Sequence, residues 1–166
     1  MDYFSHGFWA YIIFHRIKKW YYAVLFGLLP DTLSWGIYLV YSMITGFSVF
    51  RQPGPPRIDL IPDWVFMLYG ISHSLIVFGI VILFVYLFLK RIPVYMYAWP
   101  IAVLMDIPTH SREFLPTPFL WPISDWKFPG FSWGVSWFMI LNYSFILFFL
   151  IYIFVTRNHS KKKLKN

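Results

Sequence analysis

Long apolar runs, separated by short basic or proline-rich breaks, set the pattern of this chain. Residues 3–15 are apolar and aromatic but short, at the lower limit for a membrane crossing, so they cross obliquely or enter from one face only. Residues 20–46 predict a span with Pro30 in its middle, where the missing backbone donor predicts a kink. Residues 47–62 hold Pro53, Gly54, Pro55, Pro56 and Pro62 and read as a loop. Residues 63–89 predict the cleanest long span, closed by Lys90 and Arg91. The chain restarts at Pro93, and residues 94–107 predict a short helix containing Pro100. Residues 108–131 carry Pro108, Pro116, Pro118, Pro122 and Pro129, which predicts an irregular aromatic loop. Residues 132–156 predict the last span. No internal repeat or linker divides the chain. The expected architecture is all-α: one membrane-embedded helical domain over residues 1–156, a polytopic bundle of about four to five segments with broken or short helices.

Composition strengthens this picture. Of the residues, 59% are hydrophobic and only 13% are charged, against roughly 25% charged in soluble domains. The net charge of +7 is grouped beside apolar runs, in His15-Arg16-Ile17-Lys18-Lys19, Lys90-Arg91 and residues 157–165. That grouping argues for cytoplasmic anchoring and against nucleic-acid binding, which needs a basic solvated face. Residues 157–166 read as a basic, disordered cytoplasmic tail, with Lys161, Lys162 and Lys163 able to touch anionic lipid. His159, like His15, reads as surface charge. The loops at 47–62 and 108–131 then face outward, although Arg51, Arg57, Arg112 and Lys127 in them oppose this polarity. The absence of cysteine removes disulfides, thiol catalysis and Cys-ligated metal. Met1-Asp2 offers no basic leader region, so no signal peptide is expected.

The candidate chemistry lies in charges placed inside apolar segments. Asp31, His73 and Asp106 sit within runs that read as membrane, where a charge costs at least about 2.5–3.5 kcal/mol and calls for a partner, a cavity or a metal. A rise of 1.5 Å per residue puts Asp31 ~18 Å above Lys19, Asp106 ~18 Å above Val94, His73 ~15 Å below Asp63 and His6 ~13 Å from His15. Four segments thus carry ionisable groups to a similar depth. Two imidazoles and two carboxylates suit zinc, or manganese as a second choice. His6, Asp31, His73 and Asp106 are the candidate metal ligands. His110, four residues after Asp106, is the candidate catalytic acid/base or a further ligand.

Each of these residues has a plainer reading. Asp31 after Pro30 also reads as the N-cap of a new helix, and both readings hold together if the helix is discontinuous. His73 also reads as a hydrogen-bonded core histidine, with Ser72 and Ser74 orienting its ring. Pro108 disfavours helical backbone before it, so Asp106 is expected to end its helix and His110 to lie on the following turn. His6 also reads as a cap of the first helix, and Glu113 and Asp125 as solvated loop acids. Trp99, Trp121, Trp126, Trp133 and Trp137 read as interfacial belts.

Taken in order, His6, Leu28-Leu29-Pro30-Asp31, Ser72-His73-Ser74, Leu104-Met105-Asp106 and Leu120-Trp121-Pro122 form a series. It resembles the bacterial inner-membrane metal-dependent hydrolases, whose pattern runs from an N-terminal histidine through LLPD and THS to an HxxxD helix and an LWP loop. The resemblance covers roughly residues 6–122. Ser72 stands where the pattern has threonine, and Ala102 stands where it has the HxxxD histidine. Thr109-His110-Ser111 supplies a second THS. The resemblance implies a multi-pass protein of the bacterial inner membrane with a metal at His6, Asp31, His73 and Asp106. The expected function is metal-dependent hydrolysis, with a phosphodiester of a lipid or lipid-linked substrate as the target. The alternative is a noncatalytic membrane protein that binds or transports an ion or serves as a structural partner.

Overall fold

The computed structural model describes residues 1–46 and 58–163, with side chains to Arg157. Residues 47–57 of the proline loop expected at 47–62, with Arg51 and Arg57, lie outside the described residues, as do the side chain of His159 and residues 164–166. All regular structure among the described residues is helical. Helix α1 (Tyr3–Phe14) turns back into α2 (Trp20–Asp31), which continues through a π turn at Thr32–Gly36 into α3 (Ile37–Thr45). A 3-10 turn at Ile58–Leu60 leads to α4 (Asp63–Ser72) and α5 (Leu75–Leu89). A second 3-10 turn, Val94–Tyr97, leads to α6 (Ala98–Thr109), and α7 runs from Ser136 to Lys163.

Among the described residues, two helices are long and apolar enough to cross a membrane: Trp20–Thr45, of 26 residues, and Ser136–Arg157, of 22. Their outer faces carry bare Leu25, Ile44, Ile140 and Phe154, the surface that a hydrocarbon solvent tolerates and water does not. Pro30 lies inside the first of them without ending it. Proline removes one bond of the backbone ladder, and a π turn follows it at Thr32–Gly36.

The stretch expected to be the cleanest single span is broken. Helices α4 and α5 meet at His73 and Ser74 with a bend of 55°, as a broken span or a re-entrant loop. The cause is local. Ser74 takes extended backbone and its Oγ accepts from the amides of Ile76 and Val77, both at 3.1 Å, capping α5. Ser74 Oγ also donates to the carbonyl of Trp121. The discontinuity anticipated at Asp31 is therefore found at His73.

Two further expectations need correction. Helix α6 does not stop at Asp106 but carries Pro108 inside it and reaches Thr109. The last helix starts at Ser136 rather than 132 and continues through Arg157 to Lys163, where a disordered tail was expected.

Helix α1 is 12 residues long, ~18 Å, shorter than the ~30 Å hydrocarbon core. It packs on α2, α6 and α7. Ala10, Phe14, Ala23 and Ala98 form the shared core of α1, α2 and α6. Small residues permit the close approach. A Cβ added at Gly27 would lie 2.8 Å from Ala10 Cβ and 3.2 Å from the His6 carbonyl. On the other flank, Trp9 Nε1 donates to Asn142 Oδ1 at 2.9 Å and Asn142 Nδ2 donates to Ser5 Oγ at 2.7 Å, fixing α1 to α7. Gly27→Val is expected to destabilise the bundle by about 1–3 kcal/mol. Gly79→Val, at a site with nothing within 4 Å, is expected to leave the melting temperature of detergent-solubilised protein unchanged.

Candidate functional site

The site is assembled from four helix segments. Asp2 caps α1, its Oδ1 accepting from the Ser5 amide at 3.1 Å. His6 is therefore not the cap. It sits one turn further along α1, buried. Asp31 has helical backbone and no side-chain cap bond, so the N-cap reading fails and its carboxylate is free to turn inward. His73 sits at the α4–α5 break, and Asp106 on the buried face of α6.

These side chains meet. His6 Nε2 lies 3.0 Å from Asp106 Oδ1 and 3.8 Å from Asp31 Oδ2. His73 Nε2 lies 3.4 Å from Asp31 Oδ1 and 3.6 Å from Asp106 Oδ2. His73 and Asp106 are 0% exposed, and the Asp31 side chain is 14% exposed. His110, the residue that follows α6, places Nδ1 3.7 Å from Asp106 Oδ1 and 3.1 Å from Thr117 Oγ1. All five residues singled out in the sequence are thus in one cluster. Ala102, also buried on α6, contributes no ligand, and His110 approaches Asp106 from the other end of that helix.

Neighbours orient the rings. Ser72 Oγ lies 3.0 Å from His73 Nδ1 and donates to the Tyr69 carbonyl at 3.4 Å, which leaves Nε2 as the ring atom facing the carboxylates. The Tyr69 ring lies against His73, tilted by 37° with centroids 4.1 Å apart, and its hydroxyl donates to the Leu115 carbonyl at 3.1 Å. Trp99 is not an interfacial residue. It is buried and its Nε1 donates to the Ser72 carbonyl at 2.7 Å. Burial, and then the nearby Met1 ammonium, lower the His110 pKa to about 4, so this imidazole is neutral at pH 7.

Sequence reasoning missed two members of the site. The Met1 amino group is buried and bonds Asp106 Oδ1. Thr117, in the proline-rich loop, holds His110. Asn142, a lone amide within an otherwise apolar span, was the available signal for the α1–α7 contact. Glu113 and Asp125 stay outside the cluster. Both are exposed and line a separate cavity with Arg112 and Lys127.

Among the described residues, three buried polar side-chain atoms have no hydrogen-bond partner: His6 Nδ1, His73 Nε2 and Asp106 Oδ2. Such atoms are costly unless something compensates them. As the side chains stand, no group of three or more His, Asp or Glu among the described residues is disposed to hold a metal ion. His6 Nε2 and the Met1 amine engage Asp106 directly. Comparison with family models, with curated proteins and with solved structures finds no match.

Ser74→Ala removes the α5 cap. It is expected to cost about 1 kcal/mol and to speed hydrogen exchange at the Ile76 and Val77 amides more than in α7.

Proposed function

We propose that the protein is a multi-pass, membrane-embedded, metal-dependent hydrolase acting on a phosphodiester. The bacterial inner membrane is the location that its sequence pattern suggests, with the basic C-terminal end cytoplasmic. One observation carries the reading. His73 Nε2 and Asp106 Oδ2, both buried and without partners, face each other at 3.6 Å, with Asp31 Oδ1 3.4 Å from the same nitrogen. Ligands about 2.0–2.1 Å from a tetrahedral ion stand about 3.3–3.4 Å apart. The mixed nitrogen–oxygen donor set suits a zinc-sized cation, with manganese as the alternative, once the side chains turn from their present arrangement, in which no three of them are disposed to hold a metal. His73, Asp31 and Asp106 would hold it, with His6 as the fourth ligand after exchanging its bond to Asp106.

Bound there, such an ion supplies Lewis acidity and activates water near neutral pH. The chain's own groups do the rest. Ser72 orients His73, and the helical setting of Asp31 keeps its carboxylate turned inward. His110, neutral and held through Nδ1 by Thr117, accepts a proton from the attacking water at Nε2.

A purely structural ion-paired core is the competing reading, and the Met1 amine on Asp106 favours it. Elemental analysis of protein purified in mild detergent without chelator separates the two. Near-stoichiometric zinc or manganese is expected in the wild type and is expected to vanish in Asp31→Ala and Asp106→Asn. His110→Gln is expected to keep the metal and to slow phosphodiester hydrolysis about 10²–10⁴-fold. A wild-type protein free of metal sinks the hydrolase reading in favour of the ion-paired core.

A further inference from the structure

A cavity of about 490 Å³ starts at the ionisable cluster and runs outward between α1, the α2–α3 span and the loop that follows α6. That size falls within the roughly 300–1,000 Å³ of small-molecule sites. One end carries Asp31 and His110. The walls beyond them are apolar and aromatic, formed by Trp35, Leu39, Phe114, Leu115 and Trp133.

The span itself opens this space. Asp31, Thr32, Trp35, Gly36 and Leu39 all line it, and four of the five lie in or beside the π turn at Thr32–Gly36. A π turn widens the helix by one residue and often marks a functional site. Gly36 adds room because it presents no side chain. Its backbone is ordinary right-handed helix, and an added Cβ would meet only its own helix, with Thr32 Cγ2 nearest at 3.4 Å. Space, not conformation, is what glycine supplies there. Leu39, at the other end, is 54% exposed on the outside of the bundle. Leu39 belongs to a helix long and apolar enough to cross a membrane, so its exposed side faces hydrocarbon. The cavity is thus polar at the cluster, apolar along its length and open at the bilayer.

We propose that this groove binds an acyl chain of a bilayer glycerophospholipid and places the lipid's phosphodiester at Asp31 and His110. The substrate class rests on the hydrolase reading, whereas chain binding does not. The occupant follows from the lengthwise polarity, which matches a molecule with one polar end and a long apolar chain; an anionic group beside the Asp2 and Asp31 carboxylates needs the cation of the hydrolase reading. It follows also from the opening, which meets the phase in which phospholipid is the solvent. A water-soluble phosphodiester would leave the aromatic walls bare, at a cost that grows with the apolar area left unfilled.

Native mass spectrometry on detergent-purified full-length protein tests this, with dioleoylphosphatidylglycerol as the probe and dihexanoylphosphatidylglycerol as its short-chain counterpart. One dioleoyl lipid per chain is expected to stay bound, with the dihexanoyl lipid held at least about tenfold more weakly. Gly36→Phe and Leu39→Trp, which fill the groove from two positions, are each expected to lower dioleoyl retention about tenfold. Leu83→Phe, on an exposed face of α5, is expected to leave it unchanged. Leu39 is on the surface, so its variant decides if Gly36→Phe melts early. Retention indifferent to both groove variants overturns the proposal, as does equal binding of the two lipids or preferential retention of a polyprenyl phosphate. Metal analysis of the same samples keeps the two readings apart. Groove-dependent lipid without metal leaves the chain site standing and removes the hydrolase. Metal with groove-independent lipid does the reverse.

Discussion

Two carboxylates placed deep in an apolar bundle govern this structure. An isolated ionised group in such surroundings is far more costly than any single packing contact can offset. Asp106 is 0% exposed, so everything near it must supply positive charge or hydrogen-bond donors. The approach of His6, His73, His110 and the Met1 amine to one carboxylate is the geometric answer. It also explains why so short a helix as α1 is anchored from both sides. Its N-terminal turn is drawn into the cluster, and its flank is tied to α7 by the chain from Trp9 through Asn142 to Ser5. Breaking a buried arrangement of this kind by removing one partner generally costs more than the arrangement contributes.

The residues around the cluster show how local chemistry serves that constraint. The Ser72-His73-Ser74 sequence stops one helix, caps the next and turns an imidazole inward. The two serines act separately. Ser72 sits beside the ring, and Ser74 holds the first turn of α5. Trp99 and Trp121 close the break from α6 and from the loop, one donating to the Ser72 carbonyl and the other accepting from Ser74. The proline-rich loop after α6 is therefore part of the site's wall rather than a spacer. It returns along the end of α6 through bonds from Phe131 to Pro108 and from Trp133 to Thr109. Gly130 fits there because any Cβ would fall 2.5 Å from two carbonyl oxygens.

Much of the cluster was legible in the sequence because charges in apolar runs are rare and helical rise converts their positions into depth. Asp31, His73, Asp106 and His6 stood out on that ground, and His110 by its spacing of four residues from Asp106. The break at His73 was not legible. An unbroken apolar pattern carries no sign of a bend whose cause is a serine cap. Pro108 misled in the opposite direction. The rule disfavouring helix before proline is statistical, and the His110 amide still reaches the Asp106 carbonyl at 3.1 Å. Trp99 was misread because tryptophan is common at membrane interfaces, and its composition does not reveal that its indole N–H has a buried carbonyl to meet. The amine on Asp106 could not be read at all, since backbone atoms leave no trace in a residue pattern.

The π turn at Thr32–Gly36 bears on how the first long span is phased. A straight α-helix advances about 100° per residue, so one surplus residue in a turn rotates everything after it relative to everything before. The half that carries Asp31 and the half that carries Tyr38 are consequently keyed to different neighbours. The first meets α1 and α6, and the second packs Tyr38 against Ile61 and Val65 near the start of α4. Shortening that turn by one residue would restore a regular ladder yet put the two halves out of step. This single span therefore behaves as two short helices with independent azimuths, joined without a loop.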